Sequence, residues 1–291
     1  MPAAKITLPI LLSLALTGCY DNRTPQETAE AGALFECIPN LDGSLDAAEF
    51  RLTAGQRGDY DITLLRDVDS AGAGAAEARS WAFDWTRDDD DTFVLEVTRA
   101  ADAWFADRIP DALYDRFDGE LVALPADIDG RYQLIMGKDD VSTWLLGTAS
   151  TDESPDDEGP MWLLYDEPVA IHRFPLTPGG RWTSVGESSG ATLPIPGTPE
   201  ITVTEDRRDT YEVSVTDVGE VDLGPYRFER VVKVEQRVTL EFPANPLLPA
   251  SVQLQVQYFA ECGGEVARLT ARQNDEAEPI ELAGEVRRAR L

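Results

Sequence analysis

Three cysteines and one histidine are the side chains of this 291-residue chain whose chemistry few others can imitate. A thiol is a nucleophile, a metal ligand and half of a disulfide. An imidazole is the commonest general base. His172 is the single imidazole, so zinc held by several histidines is excluded by count. Any Ser-His-Asp or Cys-His machinery would have to be built on it. It lies in 169–174, where Val169, Ile171 and Arg173 alternate with Ala170, His172 and Phe174. That is the period of a strand, and the chain carries no G-x-S-x-G elbow. His172 therefore reads as a partly exposed strand residue, and the chain is not read as an enzyme. Paired carboxylates for glycoside hydrolysis can be drawn anywhere among 54 acidic residues, so spacing singles out none.

Oxygen chemistry offers a second candidate. The stretch Asn40-Leu41-Asp42-Gly43-Ser44-Leu45-Asp46-Ala47-Ala48-Glu49-Phe50 resembles the later part of an EF-hand calcium loop. Such a loop supplies hard oxygens at positions 1, 3, 5, 7, 9 and 12, with glycine at 6 for the sharp turn. With Gly43 at 6, the ligands would be Asn40, Asp42, the Ser44 carbonyl, Asp46 and Glu49. Position 1 is Ile38 rather than Asp, which removes the usual anchoring ligand, and Pro39 stiffens the entrance. Two readings stand. One is a degenerate calcium loop, with calcium as cofactor. The other is a turn followed by a short helix, with Asp42 or Ser44 as N-cap. The acidic runs 88–91 and 152–158 read as a solvated hairpin tip and a linker rather than as metal sites.

The first cysteine sits at the end of a leader. Lys5 precedes an apolar run from Ile6 to Leu16, interrupted by Pro9, and two small residues follow. This is the layout of a secretory signal peptide, and the run is too short to span a bilayer. Leu16-Thr17-Gly18-Cys19 resembles the lipobox of bacterial lipoproteins. The resemblance implies cleavage after Gly18 and a diacylglycerol, with further acyl chains, on Cys19. At ~0.8 kcal/mol per buried CH₂, two or more chains anchor a protein stably. The expected place is the bacterial cell envelope. Tyr20, where an Asp favours inner-membrane retention, points by the same resemblance to the outer membrane.

The formal net charge is -29, and loss of Lys5 makes it one unit more negative. Nucleic acid is excluded as a partner, because that needs a positive field. The positive charge is nearly all Arg, with only Lys5, Lys138 and Lys233 as lysines. An acidic surface of this kind stays hydrated in salt. After lipidation Cys37 and Cys262 remain, and two cysteines in an oxidising compartment usually pair. Such a bond would tie the start of the body to its last strands, with a ceiling of roughly 5 kcal/mol from chain entropy.

What must position these residues reads as mainly β, with curved antiparallel sheets, few short helices and two β-rich halves after a lipidated tether. Residues 1–18 form the signal peptide and 19–36 the tether. Residues 37–150 are a β-rich half with the EF-hand-like loop, 151–160 an acidic linker, and 161–291 a second β-rich half. Strand signals fall at 60–66, 80–85, 92–98, 119–124, 131–136 and 143–148. They continue at 161–165, 169–174, 182–186, 211–217, 226–242, 251–260 and 265–272. Residues 100–107 and 46–53 are weak helical candidates, 188–199 reads as a long loop, and Asn245-Pro246 with Pro249 marks a turn between two long strands. Trp81, Trp85, Trp104, Trp144, Trp162 and Trp182 lie mostly in these strands and read as core.

The second half resembles a pattern recurrent in secreted bacterial β-rich proteins. Its pieces are Phe174-Pro175-Leu176-Thr177-Pro178-Gly179-Gly180-Arg181-Trp182, the stretch from Val215 to Phe228 with a turn at Gly224, and Tyr258-Phe259-Ala260 before Gly263 and a closing strand. The resemblance implies a curved antiparallel sheet and no particular activity. Glu261-Cys262 stands where the pattern has an apolar residue and a proline. The expectation for function is a membrane-anchored, non-enzymatic binding or structural protein. The alternatives are a carrier of lipid or acyl chains in a β cavity, and a calcium-dependent binding module.

Overall fold

Short β-branched and aromatic runs separated by Gly, Pro and Asp turns fold into strands, and almost all of them join one sheet. The computed structural model describes residues 37–290 except 77, 86–90, 154–159, 196–197 and 246, and excepting the side chains of 194–201. The expected signal peptide 1–18, the expected lipidation at Cys19 and the expected tether 19–36 lie outside the described residues.

The strands of the first half are β1 (Arg57–Asp67), β2 (Arg79–Ala82), β3 (Asp91–Glu96), β4 (Thr98–Arg99), β5 (Val122–Pro125), β6 (Tyr132–Lys138) and β7 (Ser142–Ser150). Those of the second are β8 (Trp162–Arg173), β9 (Arg181–Ile195), β10 (Thr198–Asp222), β11 (Arg227–Glu241), β12 (Ser251–Ala260), β13 (Gly264–Ala271) and β14 (Leu282–Arg290). The spatial order is β3-β1-β14-β13-β12-β11-β10-β9-β8-β7-β6-β5-β4, antiparallel along this path. β2 adds a parallel pairing to the upper end of β10, at 219–222.

The two ends of this order are consecutive in the chain. β3 pairs with β1 and β4 with β5, and Val97 between them exchanges hydrogen bonds with Gly55 and Gln56. One bent stretch, 91–99, thus bridges both edges, and the sheet is nearly closed. Between β8 and β9 the ladder has one bridge, Trp162 to Thr192.

β7 pairs with β8 directly, so the acidic stretch 151–160 joins neighbouring strands of one sheet. β14 pairs with β1, so the end of the chain closes on the start of the body. The inner core draws on both halves: Val97, Val122, Met136 and Leu145 pack with Leu163, Val169, Val213 and Val234. Two further cores lie on the outer faces. Residues 68–85 place Trp81 and Phe83 over Leu254, Val256 and Tyr258 of β12. Phe105, Ile109 and Phe117 cover Ile135 and Leu146 of β6 and β7.

Three sequence expectations are corrected. Residues 188–199 are not a long loop, because β9 and β10 run on through 195 and from 198 as a hairpin pairing Thr192 with Thr204 and Leu193 with Val203. Pro194 and Pro199 fall near its tip, where the register shifts and a missing N–H costs little. Residues 100–107 are not one helix but two 3-10 turns, at Ala100–Asp102 and Ala106–Arg108. The α-helix of the described residues is Asp111–Arg116, one short element that the sequence reading missed. The 46–53 candidate is a turn.

Candidate functional site

The segment 37–56 lies across one end of the nearly closed sheet and carries most of the sequence candidates. Cys37 and Cys262 form a disulfide, with Cα atoms 5.7 Å apart. The Cys262 N–H also donates to the Glu49 carbonyl at 3.1 Å. Leu45 is fully buried and exchanges backbone hydrogen bonds with Leu176, at 3.1 and 2.9 Å. Phe50 packs against Phe174, Phe259 and His172. The segment is therefore stapled to the β12–β13 turn on one side and paired to the stretch after β8 on the other.

Within it the EF-hand-like residues spend their side-chain oxygens on the backbone. Asn40 accepts from the Asp42 N–H and Asp42 from the Ser44 N–H, each at 2.8 Å. Glu49 accepts from the Asp46 N–H at 2.9 Å, as in a capping box. Gly43 takes a positive φ of 83° for the turn. Arg230 donates to the Asp42 carbonyl at 2.6 Å, placing a cation beside the loop. Glu49 is buried, and that burial, with Glu261, Asp46 and Asp42 nearby, holds its carboxyl above the usual range. Among the described residues no three His, Cys, Asp or Glu side chains gather as a metal site. The geometry is that of consecutive Asx turns, and Asp46 rather than Asp42 or Ser44 stands at the cap position.

His172 is buried rather than partly exposed, at 4% exposure. Thr143 Oγ1 lies 2.7 Å from Nδ1 and Gln257 Oε1 lies 3.4 Å from Nε2. Gln257 Nε2 donates to Glu265 Oε2 at 3.0 Å, and Arg268 closes the chain on the same oxygen. Burial pushes the imidazole down to about 4, against the smaller upward effects of Gln257 and Glu265. Hydroxyl, imidazole, amide and carboxylate follow one another much as in a hydrolase. Thr143, however, is 0% exposed, so no substrate carbonyl can reach it. The sequence signal for Thr143, Gln257 and Glu265 was nil, because their meeting depends on three strands.

A second buried network joins β8 to β10. Tyr165 donates to Asp209 Oδ2 at 2.5 Å and lies 2.9 Å from the Tyr211 hydroxyl, while Arg207 Nε holds Asp209 Oδ1 at 2.8 Å. Burial, then neighbouring charge, raises both phenols well above the usual tyrosine range.

A concavity that solvent can enter lies on the outer face of β9–β12. It is an open groove of about 580 Å³. Arg181 and Thr183 line it from β9, Ser214 and Thr216 from β10, and Leu254 and Val256 from β12, with Pro279 and Glu278 at the rim. Arg237 in its wall is held between Glu212, at 3.6 Å, and Glu276. Lys233 nearby pairs with Glu235 at 2.7 Å. This surface suits binding: it offers hydroxyls, an apolar floor and both charge signs, but no nucleophile beside a base. The tryptophans serve the cores. Trp182 donates inward to the Ala170 carbonyl, Trp81 to the Ser70 carbonyl, and Trp104 to the Ser150 carbonyl. No protein-family model, curated protein or solved structure matches this chain.

Proposed function

We propose that this chain is a lipid-anchored protein of the bacterial cell envelope whose body binds a ligand or partner without catalysing a reaction. The observation that carries the reading is the Cys37–Cys262 disulfide. It pairs two of the three cysteines, as an oxidising compartment favours, and leaves Cys19 for the lipid that its lipobox-like surroundings call for. It also fixes the first residue of the body to the sheet, so that whatever holds residues 19–36 to a membrane holds the whole body.

The non-catalytic half of the reading rests on His172, which is enclosed and carries both ring nitrogens within reach of neutral partners. The acidic balance keeps nucleic acid out of the reading. Tyr20 supports the outer membrane as the destination. A carrier of apolar ligands has less behind it, since Leu45, Phe50, Tyr165 and Phe259 pack in the space the sheet encloses. A calcium-dependent module has less behind it for the reasons of geometry given above.

Intact-mass analysis of the chain from its producing cells, with membrane fractionation, tests the proposal. The expected product begins at Cys19, carries acyl chains there and sediments with outer membrane, and Cys19→Ala releases it into the soluble fraction. A bare thiol at position 19, or a product beginning elsewhere, would overturn the anchor.

A further inference from the structure

We propose that the end of the body crossed by segment 37–56 rests on the bilayer surface, with Ile38, Leu41 and Val141 entering zwitterionic lipid. This deepens the reading of a lipid-anchored body and rests on that anchor.

The three apolar side chains are exposed, at 76%, 48% and 59%. Exposed aliphatic residues scattered singly need no explanation, but these are held in place. Ile38 lies between the disulfide at Cys37 and Pro39, which confines it to extended backbone. Leu41 sits at a φ of 55°, in the left-handed region that a leucine rarely takes. Its N–H donates at 2.6 Å to Glu261 Oε2, on a buried carboxylate of the β12–β13 turn. A strained backbone and a buried carboxylate thus fix a leucine that stays half exposed. Strain of this kind persists where the surroundings enforce it, and it gathers at functional sites.

Val141 stands in the β6–β7 turn. Its N–H donates to Asp139 Oδ1 at 2.9 Å, and its carbonyl accepts from the Phe174 N–H at 2.8 Å. Lys138, which ends β6, donates to the Phe50 carbonyl at 2.5 Å, so this turn and segment 37–56 belong to one end of the sheet.

That end is where the chain enters the body. The proposed lipid at Cys19 and the tether 19–36 lead directly to Cys37. A chain of that length reaches at most about 60 Å, which keeps this end at high effective concentration over the lipid surface. A few aliphatic side chains then suffice, since each contributes in proportion to the apolar area it buries. The charge sets the lipid class. Asp42, Asp139 and Asp140 lie beside Leu41 and Val141 in a chain of net charge -29, so an anionic surface is repelled and a zwitterionic one accepted.

The test uses the full lipidated chain, purified from its producing cells and reconstituted in phosphatidylcholine vesicles with partly brominated acyl chains. A fluorophore is attached through Val141→Cys or, as control, Leu247→Cys. Leu247 is exposed in the β11–β12 connection, at the other end of β12 from the β12–β13 turn. Bromine should quench the label at 141 and spare that at 247. Ile38→Ser and Leu41→Ser should each lower the docked-to-free ratio read at 141 about fivefold, the loss of one partly inserted aliphatic side chain. Both positions are exposed, so the variants keep the fold. Phosphatidylglycerol vesicles should weaken the quenching, and stronger quenching there overturns the choice of lipid. Equal quenching of the two labels, or quenching indifferent to both serine variants, overturns the docking, while flotation of the protein with the vesicles leaves the anchor standing. A blue shift at 141 without quenching assigns the surface to a second copy of the chain and overturns the docking too. A chain that fails to float with the vesicles overturns the anchor and the docking together.

Discussion

The Tyr165 hydroxyl reaches from β8 to the Asp209 carboxylate on β10, passing over β9, the strand that lies between them in the sheet. Gly186 on β9 faces Asp209 in the ladder, and a methyl group there would come within 2.6 Å of the Tyr165 ring and of Val169. The backbone ladder between β8 and β9 is one bridge long. The side-chain bridge thus adds a fastening across a join whose ladder is one bridge long.

Tyr165→Phe should therefore cost about 1–3 kcal/mol, the worth of a hydrogen bond to a buried charge. Gly186→Ala should cost a similar amount through overpacking. The two should be less than additive, because Tyr165→Phe removes the hydroxyl that the Gly186→Ala methyl would push away from Asp209. Urea unfolding of the three variants measures this. Full additivity would mean that the ring does not depend on the glycine.

The disulfide makes a separate prediction. Cys37→Ser with Cys262→Ser should lower stability by about 2–5 kcal/mol, since the bond closes a loop with sequence separation 225. The Leu45–Leu176 pairing remains in the variant, so Leu45 should stay buried. Thermal melting gives the loss, and amide exchange at Leu45 shows whether the segment 37–56 stays in place.

Acid should act through His172. Its folded-state value of about 4 lies below the ordinary 6.5, so the unfolded chain takes up the proton first. The resulting stability is fully present above pH 6.5 and is lost as pH falls toward 4. At pH 5 the loss should be about 2 kcal/mol relative to pH 7.5. His172→Gln should lack that component, while the carboxylates contribute equally to both proteins. Parallel denaturation curves at the two pH values for variant and parent would contradict the buried neutral imidazole.

Calcium provides a test of the turn. Asn40, Asp42 and Glu49 already accept backbone N–H groups, and Arg230 stands against the Asp42 carbonyl. Millimolar calcium should leave Tm unchanged within a degree. A saturable rise would show that the oxygens turn from the backbone to the ion, as one in excess of its Kd stabilises the folded state by mass action.

Much of the strand content was legible in the chain because alternation and turn residues are local properties. The run 251–260 shows what alternation leaves open. Leu254, Val256 and Tyr258 face the outer core beneath 68–85, while Gln257 points to His172 inside. Period two separates the two faces of a strand but does not say which is enclosed. β14 was missed for a related reason. It carries Arg287 and Arg288, and arginine usually marks an exposed face, yet Arg288 is fully buried, donating to the Phe83 and Trp85 carbonyls.

The sequence by itself determined the acidic, β-rich character of the chain, its single imidazole and its three cysteines. These follow from composition and near-neighbour pattern, which act over a few residues. Only the tertiary structure decided that both halves share one nearly closed sheet, that His172 is sealed beside Thr143, and that Arg181 and Glu278 border one groove. Those outcomes come from pairings between residues far apart in the chain, whose energies depend on burial and register that no local window contains.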